Sequence, residues 1–450
     1  MDQRAQIQLP GGTVIGLRKN GIFHARGIKY AEAARFEPPE IVERWDSPID
    51  ATKPAPVCVQ RPSRLAFVTG DIIKGRPMSE DCLTVTVTAP EIILKQPSLK
   101  LPTMVFLHGG AYLSGGGDLD CYYPGSLASR NIVVVNVTHR MGIFGYYPIE
   151  SVAPANLGLM DQIAAMRWVQ KNVSFFGGDP ERVTAVGQSA GATTIYCMIV
   201  ADGVERLFQR AILQSPPFGW PDVPGEMSEQ LAHKTKSYFR DDPRTASTSE
   251  ALDIQLRVLM EADRLVAWPR FGQYPLPDAG EAKRRMLEKA ADYKFIVGWT
   301  LDDAVPFARH QPWSRIPLIG PYLKSLITWW DTRTSFIWPS QQFHKDVLKA
   351  GANSMTYCLR WRPEGSPLGA VHCLELALLL GSWDAWKDSP MVHGVGSREV
   401  LERLGKQLKD FWAAFIAGSP STETLTAEHV DIDKDFSFEA LSRSVHHHEE

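Results

Sequence analysis

One serine lies between two glycines at residues 187–191, in the order Gly-Gln-Ser-Ala-Gly. The apolar residues 183–186 before it can form a buried strand, and the apolar residues 192–200 after it can continue as a helix. A serine on such a strand-to-helix turn projects its hydroxyl above the edge of the sheet, and the turn needs small residues on both sides. The spacing therefore predicts that Ser189 is a nucleophile for acyl transfer.

A second glycine-rich turn, His-Gly-Gly-Ala-Tyr at residues 108–112, follows an apolar stretch. Consecutive N–H groups in such a turn can converge on one point, and small residues let a substrate oxygen approach the main chain. We expect the N–H groups of Gly110, Ala111 and Ala190 to form an oxyanion hole, which would stabilise the charge of a tetrahedral intermediate.

An acid and a base are predicted after two later strands. The acidic pair Asp302 and Asp303 follows one apolar stretch, and His372 follows the next one after a short loop. Loops that follow parallel strands meet at the carboxyl edge of the sheet, and the order serine, acid, histidine is typical of hydrolases built on such a sheet. The sequence therefore predicts a triad of Ser189, one of the two aspartates and His372.

The elements that must position these residues alternate between strands and helices. Buried strands are predicted at residues 83–89, 104–107, 132–137, 183–186, 211–213, 295–298 and 355–359, and helices at residues 157–172 and 398–417. This alternation implies an α/β fold, with a mostly parallel sheet covered by helices on both faces. We expect a single domain over residues 1–450, in which residues 216–293 and 304–354 contain insertions that form a helical cap.

The overall composition is that of an ordinary globular protein, with 44% apolar and 22% charged residues. The net charge of -3 offers no basic surface for nucleic acid or an anionic membrane. Residues 374–380 are among the most apolar, and they are far too few to span a bilayer. We therefore expect a small-molecule substrate, while the oligomeric state stays open.

The first residues, 1–8, have no apolar run after their charges, so no signal peptide is predicted. We expect either a cytosolic protein or a mature form whose leader has been removed. The triplet His446 to His448 could bind a metal adventitiously, although a tag remnant or a frayed tail explains it better. No C-x-x-C pair suggests a zinc or redox site, and we predict neither a metal site nor a cofactor.

Several longer stretches resemble the type-B carboxylesterase and lipase family, which also contains the cholinesterases. Its serine motif is similar to residues 176–191, and its second signature is similar to residues 79–83. Residues 27–31, 156–162 and 207–215 also match, so the resemblance covers most of the chain.

The resemblance implies the α/β-hydrolase fold and a triad of Ser189, Asp303 and His372. Members of the family more often have Glu at the acid position. The shorter side chain of Asp303 would need a closer approach of the backbone, so Asp302 stays an alternative.

Two structural ion pairs are also implied by the resemblance, namely Arg35 with Glu80 and Arg140 with Asp161. Both would be buried salt bridges rather than pairs of surface charges.

The resemblance further implies a disulfide between Cys58 and Cys82, which would close residues 59–81 into a loop that serves as a lid in the lipase members. Whether the bridge forms depends on the redox compartment. The other four cysteines, Cys121, Cys197, Cys358 and Cys373, are expected to be free and mostly buried.

Three departures from the family pattern bear on the substrate. Gln188 precedes the serine where cholinesterases have Glu, and residues 59–81 contain no Trp to stack on a quaternary ammonium group. A choline ester is therefore disfavoured. Pro216 stands where the family usually has Gly, which would reshape the pocket wall, and the chain is short between residues 216 and 372.

The function predicted from these features is hydrolysis of small to medium, uncharged carboxylic esters through an acyl-enzyme. One alternative uses the same triad for acyl transfer, lactone hydrolysis or cyclisation in a biosynthetic pathway. A non-catalytic binding module is disfavoured because all three triad residues are present. A lipase acting at lipid interfaces is disfavoured because the loop at residues 59–81 is short.

Overall fold

The computed structural model describes residues 3–220, 225–261, 266–308, 320–423 and 428–441. Its strands are β1 (Gln3–Leu9), β2 (Gly12–Lys19), β3 (Ile22–Lys29), β4 (Ala31–Glu32), β5 (Glu40–Ile41), β6 (Ile49–Asp50), β7 (Val57–Cys58), β8 (Met78–Ser79), β9 (Thr84–Pro90), β10 (Leu101–Leu107), β11 (Val133–Val137), β12 (Gly178–Gln188), β13 (Arg210–Gln214), β14 (Lys294–Thr300), β15 (Asn353–Leu359) and β16 (His429–Ile432).

The α-helices of the described residues are α1 (Ala66–Thr69), α2 (Gly125–Ala128), α3 (Leu157–Asn172), α4 (Ala190–Val200), α5 (Gly225–Ser237), α6 (Thr248–Glu261), α7 (Ala279–Lys289), α8 (Val305–Ala308), α9 (Gly320–Thr332), α10 (Trp338–Lys349), α11 (Leu374–Leu379), α12 (Trp383–Trp386), α13 (Ser397–Ala417) and α14 (Pro420–Glu423). A π-helical turn, Arg333–Ile337, joins α9 to α10.

Within this part of the chain, twelve strands form one sheet, in the order β1-β2-β3-β9-β11-β10-β12-β13-β14-β15-β16, with β6 beside β2. The pairs from β11 to β16 are all parallel, whereas β1, β2, β3 and β9 are joined by antiparallel pairs. The predicted mostly parallel sheet is therefore confirmed. Its parallel half places the ends of β10, β12, β14 and β15 along one edge.

Helices cover both faces of the sheet. Successive side chains of a strand point to opposite sides, so each strand contributes to two cores. In β10, Val105 and Leu107 join a core that also contains α3 and α4. Met104 and Phe106 of the same strand join a second core, to which α13 contributes. Almost every residue of β10 and β11 is buried and most are apolar, as a strand covered on both faces requires.

The segments predicted to form a cap are mostly helical in the described residues. Helices α5, α6 and α7 lie within residues 216–293, and α8, α9 and α10 lie within residues 304–354. Their assignment as insertions into a single domain stays a prediction. Among the described helices, none has both the length and the apolar character needed to cross a membrane. The histidines at residues 446–448 lie outside the described part of the chain.

Both predicted ion pairs form, but only the pair of Arg140 and Asp161 is buried as predicted. Arg140, after β11, donates to both oxygens of Asp161 on α3 at 2.6 and 2.9 Å, and both side chains are buried. Arg35 donates to Glu80 at 2.8 Å and also to Thr248 at the start of α6, at 3.3 Å. These pairs link α3 and α6 to the loops around the sheet. Removal of one partner of a buried pair such as Arg140 and Asp161 typically costs about 3–5 kcal/mol of stability, whereas the side chains of Arg35 and Glu80 are 16% and 27% exposed.

The disulfide implied by the resemblance is not confirmed, because Cys58 and Cys82 are free thiols in the structure. Both are buried in the same core, and the Cys58 thiol donates to the carbonyl oxygen of Val59 at 3.7 Å. The neighbouring Cys58 side chain and burial together raise the pKa of the Cys82 thiol well above its usual value. The other four cysteines are free and buried, as predicted.

Candidate active site

Ser189 lies on the turn between β12 and α4 with φ 55° and ψ -120°, a backbone conformation that non-glycine residues seldom adopt. The neighbouring glycines are needed for steric reasons. A Cβ atom on Gly187 would lie 2.4 Å from the backbone of Gly191, and one on Gly191 would lie 2.0 Å from the carbonyl oxygen of Leu107. The Gly-x-Ser-x-Gly pattern therefore reflects close packing of the turn against itself and against β10.

The glycine-rich turn after β10 lies against the start of α4. Gly110 has φ 113°, and a Cβ atom there would lie 1.8 Å from the carbonyl oxygen of Ser114. The Tyr112 hydroxyl donates to the carbonyl oxygen of Ala190 at 2.8 Å, which holds the turn beside the serine. Among the described residues, the N–H groups of Gly110 and Ala111 have no intramolecular acceptor, so both are free to bind an oxyanion.

His372 and Asp303 form a direct hydrogen bond at the carboxyl ends of β14 and β15. The Nδ1 atom of His372 lies 2.7 Å from Oδ1 of Asp303, and both side chains are fully buried. The backbone N–H of Thr300 donates to the other carboxylate oxygen at 2.8 Å. Since Nδ1–H donates to a carboxylate, the neutral ring has its acceptor lone pair on Nε2.

Asp302 has a different set of contacts from its neighbour. Its carboxylate accepts from the backbone N–H of Ala370 at 2.8 Å, and burial raises the pKa of Asp302. A Cβ atom on Gly369 would lie 2.3 Å from the same carboxylate. Asp302 therefore positions the loop before His372, and Asp303 is the aspartate that reaches the imidazole.

The Nε2 atom of His372 is hydrogen-bonded to the side chain of Gln188, whose amide nitrogen lies 3.2 Å away. Gln188 is 1% exposed. Among the described residues, the Oγ atom of Ser189 makes no hydrogen bond, so the predicted serine–histidine contact is not formed in this structure. Such contacts often tighten only when substrate binds. The sequence had indicated Gln188 only as a specificity residue, and no local pattern points to its contact with a histidine 184 positions away.

Two phenylalanines flank the imidazole. The rings of Phe307 and Phe336 lie 5.4 and 5.3 Å from the ring of His372. Phe307 is on α8 and Phe336 is in the π-helical turn, so both come from the second predicted cap segment. These side chains keep water away from the histidine, which strengthens its interaction with Asp303.

A second buried carboxylate, Glu375 on α11, accepts a hydrogen bond from the Ser215 hydroxyl at 2.9 Å. Burial, followed by the nearby negative charge of Asp303, raises the pKa of Glu375 to about 7. The sequence interpretation assigned no role to either residue. The spacing could have indicated Glu375, because a carboxylate three residues after His372, on a short helix, must lie close to the same strand ends.

This raised pKa predicts how stability depends on pH. Between the ordinary Glu pKa near 4.5 and the folded value of about 7, the folded protein binds a proton that the unfolded chain has lost. The free energy of unfolding should therefore fall as the pH rises through this interval, by up to about 3 kcal/mol. In Glu375→Gln, which resembles the protonated acid, we expect this fall to be absent. Denaturant unfolding of both proteins at pH 5 and pH 8 would measure it, and an equal pH dependence in the two would contradict the prediction.

Known proteins similar to this chain are carboxylesterases and related hydrolases. The carboxylesterase family model matches residues 3–312. The chain is 38% identical to the probable N-octanoylanthranilate hydrolase AqdA2 of Rhodococcus erythropolis over 411 residues, which cover 88% of each chain. It is 29% identical to para-nitrobenzyl esterase of Bacillus subtilis (strain 168), over 92% of this chain and 90% of that protein. A solved structure of a thermophilic PNB esterase superimposes with a TM-score of 0.81 at 28% identity, over 96% of each chain.

The chain therefore belongs to the carboxylesterase family and has the α/β-hydrolase fold. It is a carboxylic ester hydrolase that acts on small-molecule esters.

Proposed function

We propose that the protein hydrolyses esters through an acyl-enzyme on Ser189, with His372 as general base and Asp303 as its orienting acid. The observation that carries this proposal is the 2.7 Å hydrogen bond between His372 and Asp303, both fully buried. It lies at the ends of β14 and β15, along the same sheet edge as the turn that carries Ser189.

In the proposed reaction, Nε2 of His372 takes the hydroxyl proton as Oγ of Ser189 attacks the ester carbonyl carbon. The carbonyl oxygen becomes an oxyanion, held by the N–H groups of Gly110, Ala111 and Ala190, and each such donor typically lowers the barrier by about 3 kcal/mol. His372 then returns the proton to the leaving alcohol as the carbon–oxygen bond breaks. Water repeats the sequence on the acyl-enzyme and releases the acid.

Gln188 must give up its hydrogen bond to Nε2 before His372 can accept the serine proton. In this structure the amide of Gln188 donates a hydrogen bond to that lone pair. We therefore expect substrate binding to displace the amide. The same amide, unlike a glutamate, adds no negative charge beside the imidazole. This is consistent with a neutral rather than a cationic alcohol group in the substrate.

For the substrate we propose acyl derivatives of aromatic alcohols and amines. The relatives are named for a para-nitrobenzyl ester and for N-octanoylanthranilate, an amide of an aromatic amine. Amide hydrolysis is thus the second candidate function, favoured by the greater identity to the latter protein.

The acyl-enzyme itself provides the test. Mixing the protein with a p-nitrophenyl ester that deacylates slowly should release one equivalent of p-nitrophenolate in a rapid burst. Mass spectrometry should then find the acyl group on the peptide that contains Ser189. If the protein turns over p-nitrophenyl esters of every acyl length tested without a burst and without a labelled peptide, covalent catalysis would be contradicted.

A further inference from the structure

The loop at residues 59–81 is hydrogen-bonded to the glycine-rich segment after β10 through the side chain of Gln60. This loop starts after β7, which pairs with β8 near the end of the loop. The amide oxygen of Gln60 accepts from the backbone N–H of Gly115 at 2.7 Å, and the amide nitrogen donates to the Gly115 carbonyl oxygen at 2.8 Å. The side chain therefore bonds Gly115 as a neighbouring strand would.

The amide of Gln60 has one orientation that satisfies all of its neighbours. Its nitrogen also donates to the carbonyl oxygen of Cys58 at 2.9 Å, so both N–H groups are used and the oxygen faces the N–H of Gly115. A rotated amide would place its N–H groups against another donor. Since Gln60 is only 5% exposed, water cannot replace these bonds, and a buried group left without a partner is costly.

Gly115 in turn packs against the base of the turn that contains the proposed oxyanion hole. It has φ 122°, and a Cβ atom there would lie 2.6 Å from Nδ1 of His108 and 3.1 Å from the carbonyl oxygen of Gly109. The backbone N–H of Ser114 donates to the carbonyl oxygen of Gly110 at 3.2 Å. A shift of Gly115 would therefore be transmitted to both ends of the turn.

The direction of one oxyanion donor depends on this packing. The Nδ1 atom of His108 lies 2.7 Å from the carbonyl oxygen of Gly109, and because a carbonyl only accepts, Nδ1 carries the proton. The peptide group between residues 109 and 110 is planar, so the same bond fixes where the N–H of Gly110 points. The ring of His108 is held on its other side by the stacked ring of His139, with centroids 4.8 Å apart.

We propose that Gln60 is a positioning residue for the oxyanion hole. It holds Gly115, and thereby keeps the N–H groups of Gly110 and Ala111 directed at the carbonyl oxygen of the substrate in the transition state. The inference rests on the proposed function and adds to it a residue that touches no reacting atom. Oxyanion donors must lie about 3 Å from the oxygen, and a displacement of about 1 Å can lower the rate about 100-fold.

The test replaces Gln60 with methionine, which has a similar length and no amide. For a slowly deacylating p-nitrophenyl ester, kcat per active site, with the sites counted by the burst, should fall at least about tenfold. KM should change less than about threefold, because the lost interaction acts in the transition state. Counting sites separates this effect from partial misfolding, which lowers the burst but not kcat per site.

Two ketones separate an effect on the oxyanion hole from an effect on substrate binding. A trifluoromethyl ketone forms a hemiketal with Ser189 and places an oxyanion in the hole, whereas the matching methyl ketone binds without this charge. In Gln60→Met, the Ki of the trifluoromethyl ketone should rise by the same factor by which kcat/KM falls. The Ki of the methyl ketone should stay constant.

Arg61→Met is the matched control, since Arg61 is the next residue of the same loop. Its guanidinium donates to the carbonyl oxygen of Leu252 at 3.3 Å and to the carboxylate of Asp253, both on α6. The side chains of Arg61 and Asp253 are 39% and 66% exposed, and such an exposed pair contributes little. Both kcat per active site and KM should change less than about twofold.

An unchanged kcat per active site in Gln60→Met would overturn the proposal, as would an equal rise of Ki for both ketones. If Gln60→Met does not fold, Gln60→Glu decides. Its carboxylate accepts from Gly115 but cannot donate to the Gly115 carbonyl oxygen, so kcat per active site should still fall at least about threefold, and a smaller loss would overturn the proposal. In each case a burst that requires Ser189 leaves the proposed function standing, whereas a burst that persists in Ser189→Ala would contradict it.

Discussion

Replacing Ser189 with alanine is expected to lower kcat/KM for a p-nitrophenyl ester by at least about 10⁴-fold, because no other group can form the acyl-enzyme. The fold should be retained. The backbone N–H of Ser189 donates to the carbonyl oxygen of Gln214 at 2.8 Å, a contact that alanine keeps. The midpoint of thermal unfolding should accordingly change by only a few degrees.

Ser215→Ala serves as the matched control for this experiment. Ser215 also follows a strand of the sheet and has a positive φ of 47°, but its hydroxyl bonds Glu375 and not the reacting groups. Its replacement should reduce kcat/KM by no more than about tenfold, since a neutral hydrogen bond contributes about 1 kcal/mol. Equal losses in the two variants would contradict the assignment of Ser189 as nucleophile.

The second large effect is expected at the acidic pair. Asp303→Asn should lower kcat by about 10³- to 10⁴-fold at neutral pH, because an amide cannot stabilise the imidazolium and favours the wrong tautomer of His372. Asp302→Asn should cost less than about tenfold, because the amide oxygen of Asn can still accept from Ala370. Steady-state kinetics of both variants, with circular dichroism as a check of folding, would measure the contrast. A larger loss in Asp302→Asn would contradict the assignment of Asp303 as the acid of the triad.

Much of this site could be predicted because its local geometry has strong steric requirements. Gly187 and Gly191 have no room for a Cβ atom, and Gly110 has neither the room nor the backbone conformation for one. Such requirements leave a recognisable pattern within a few residues. The alternation of apolar stretches with amphipathic ones likewise indicated the parallel sheet, since buried strands and covering helices have different hydrophobic periods.

The contacts among distant side chains could not be predicted in the same way. Asp302 and Asp303 are adjacent and chemically identical. They differ only in the hydrogen bonds of their carboxylates, since Asp302 accepts from Ala370 and Asp303 bonds His372. The choice between them depends on how β14 and β15 align, which neither residue encodes.

The sequence by itself determined the two glycine-rich turns, around Ser189 and around Gly110, and the order of Ser189, Asp303 and His372 along the chain. Only the tertiary structure decided that Gln188 contacts His372 and that Ser215 contacts Glu375. The physical reason is the separation along the chain over which each effect acts. Steric and hydrophobic patterns act between neighbours in the chain, whereas hydrogen bonds and cavities depend on packing between elements that are far apart in sequence.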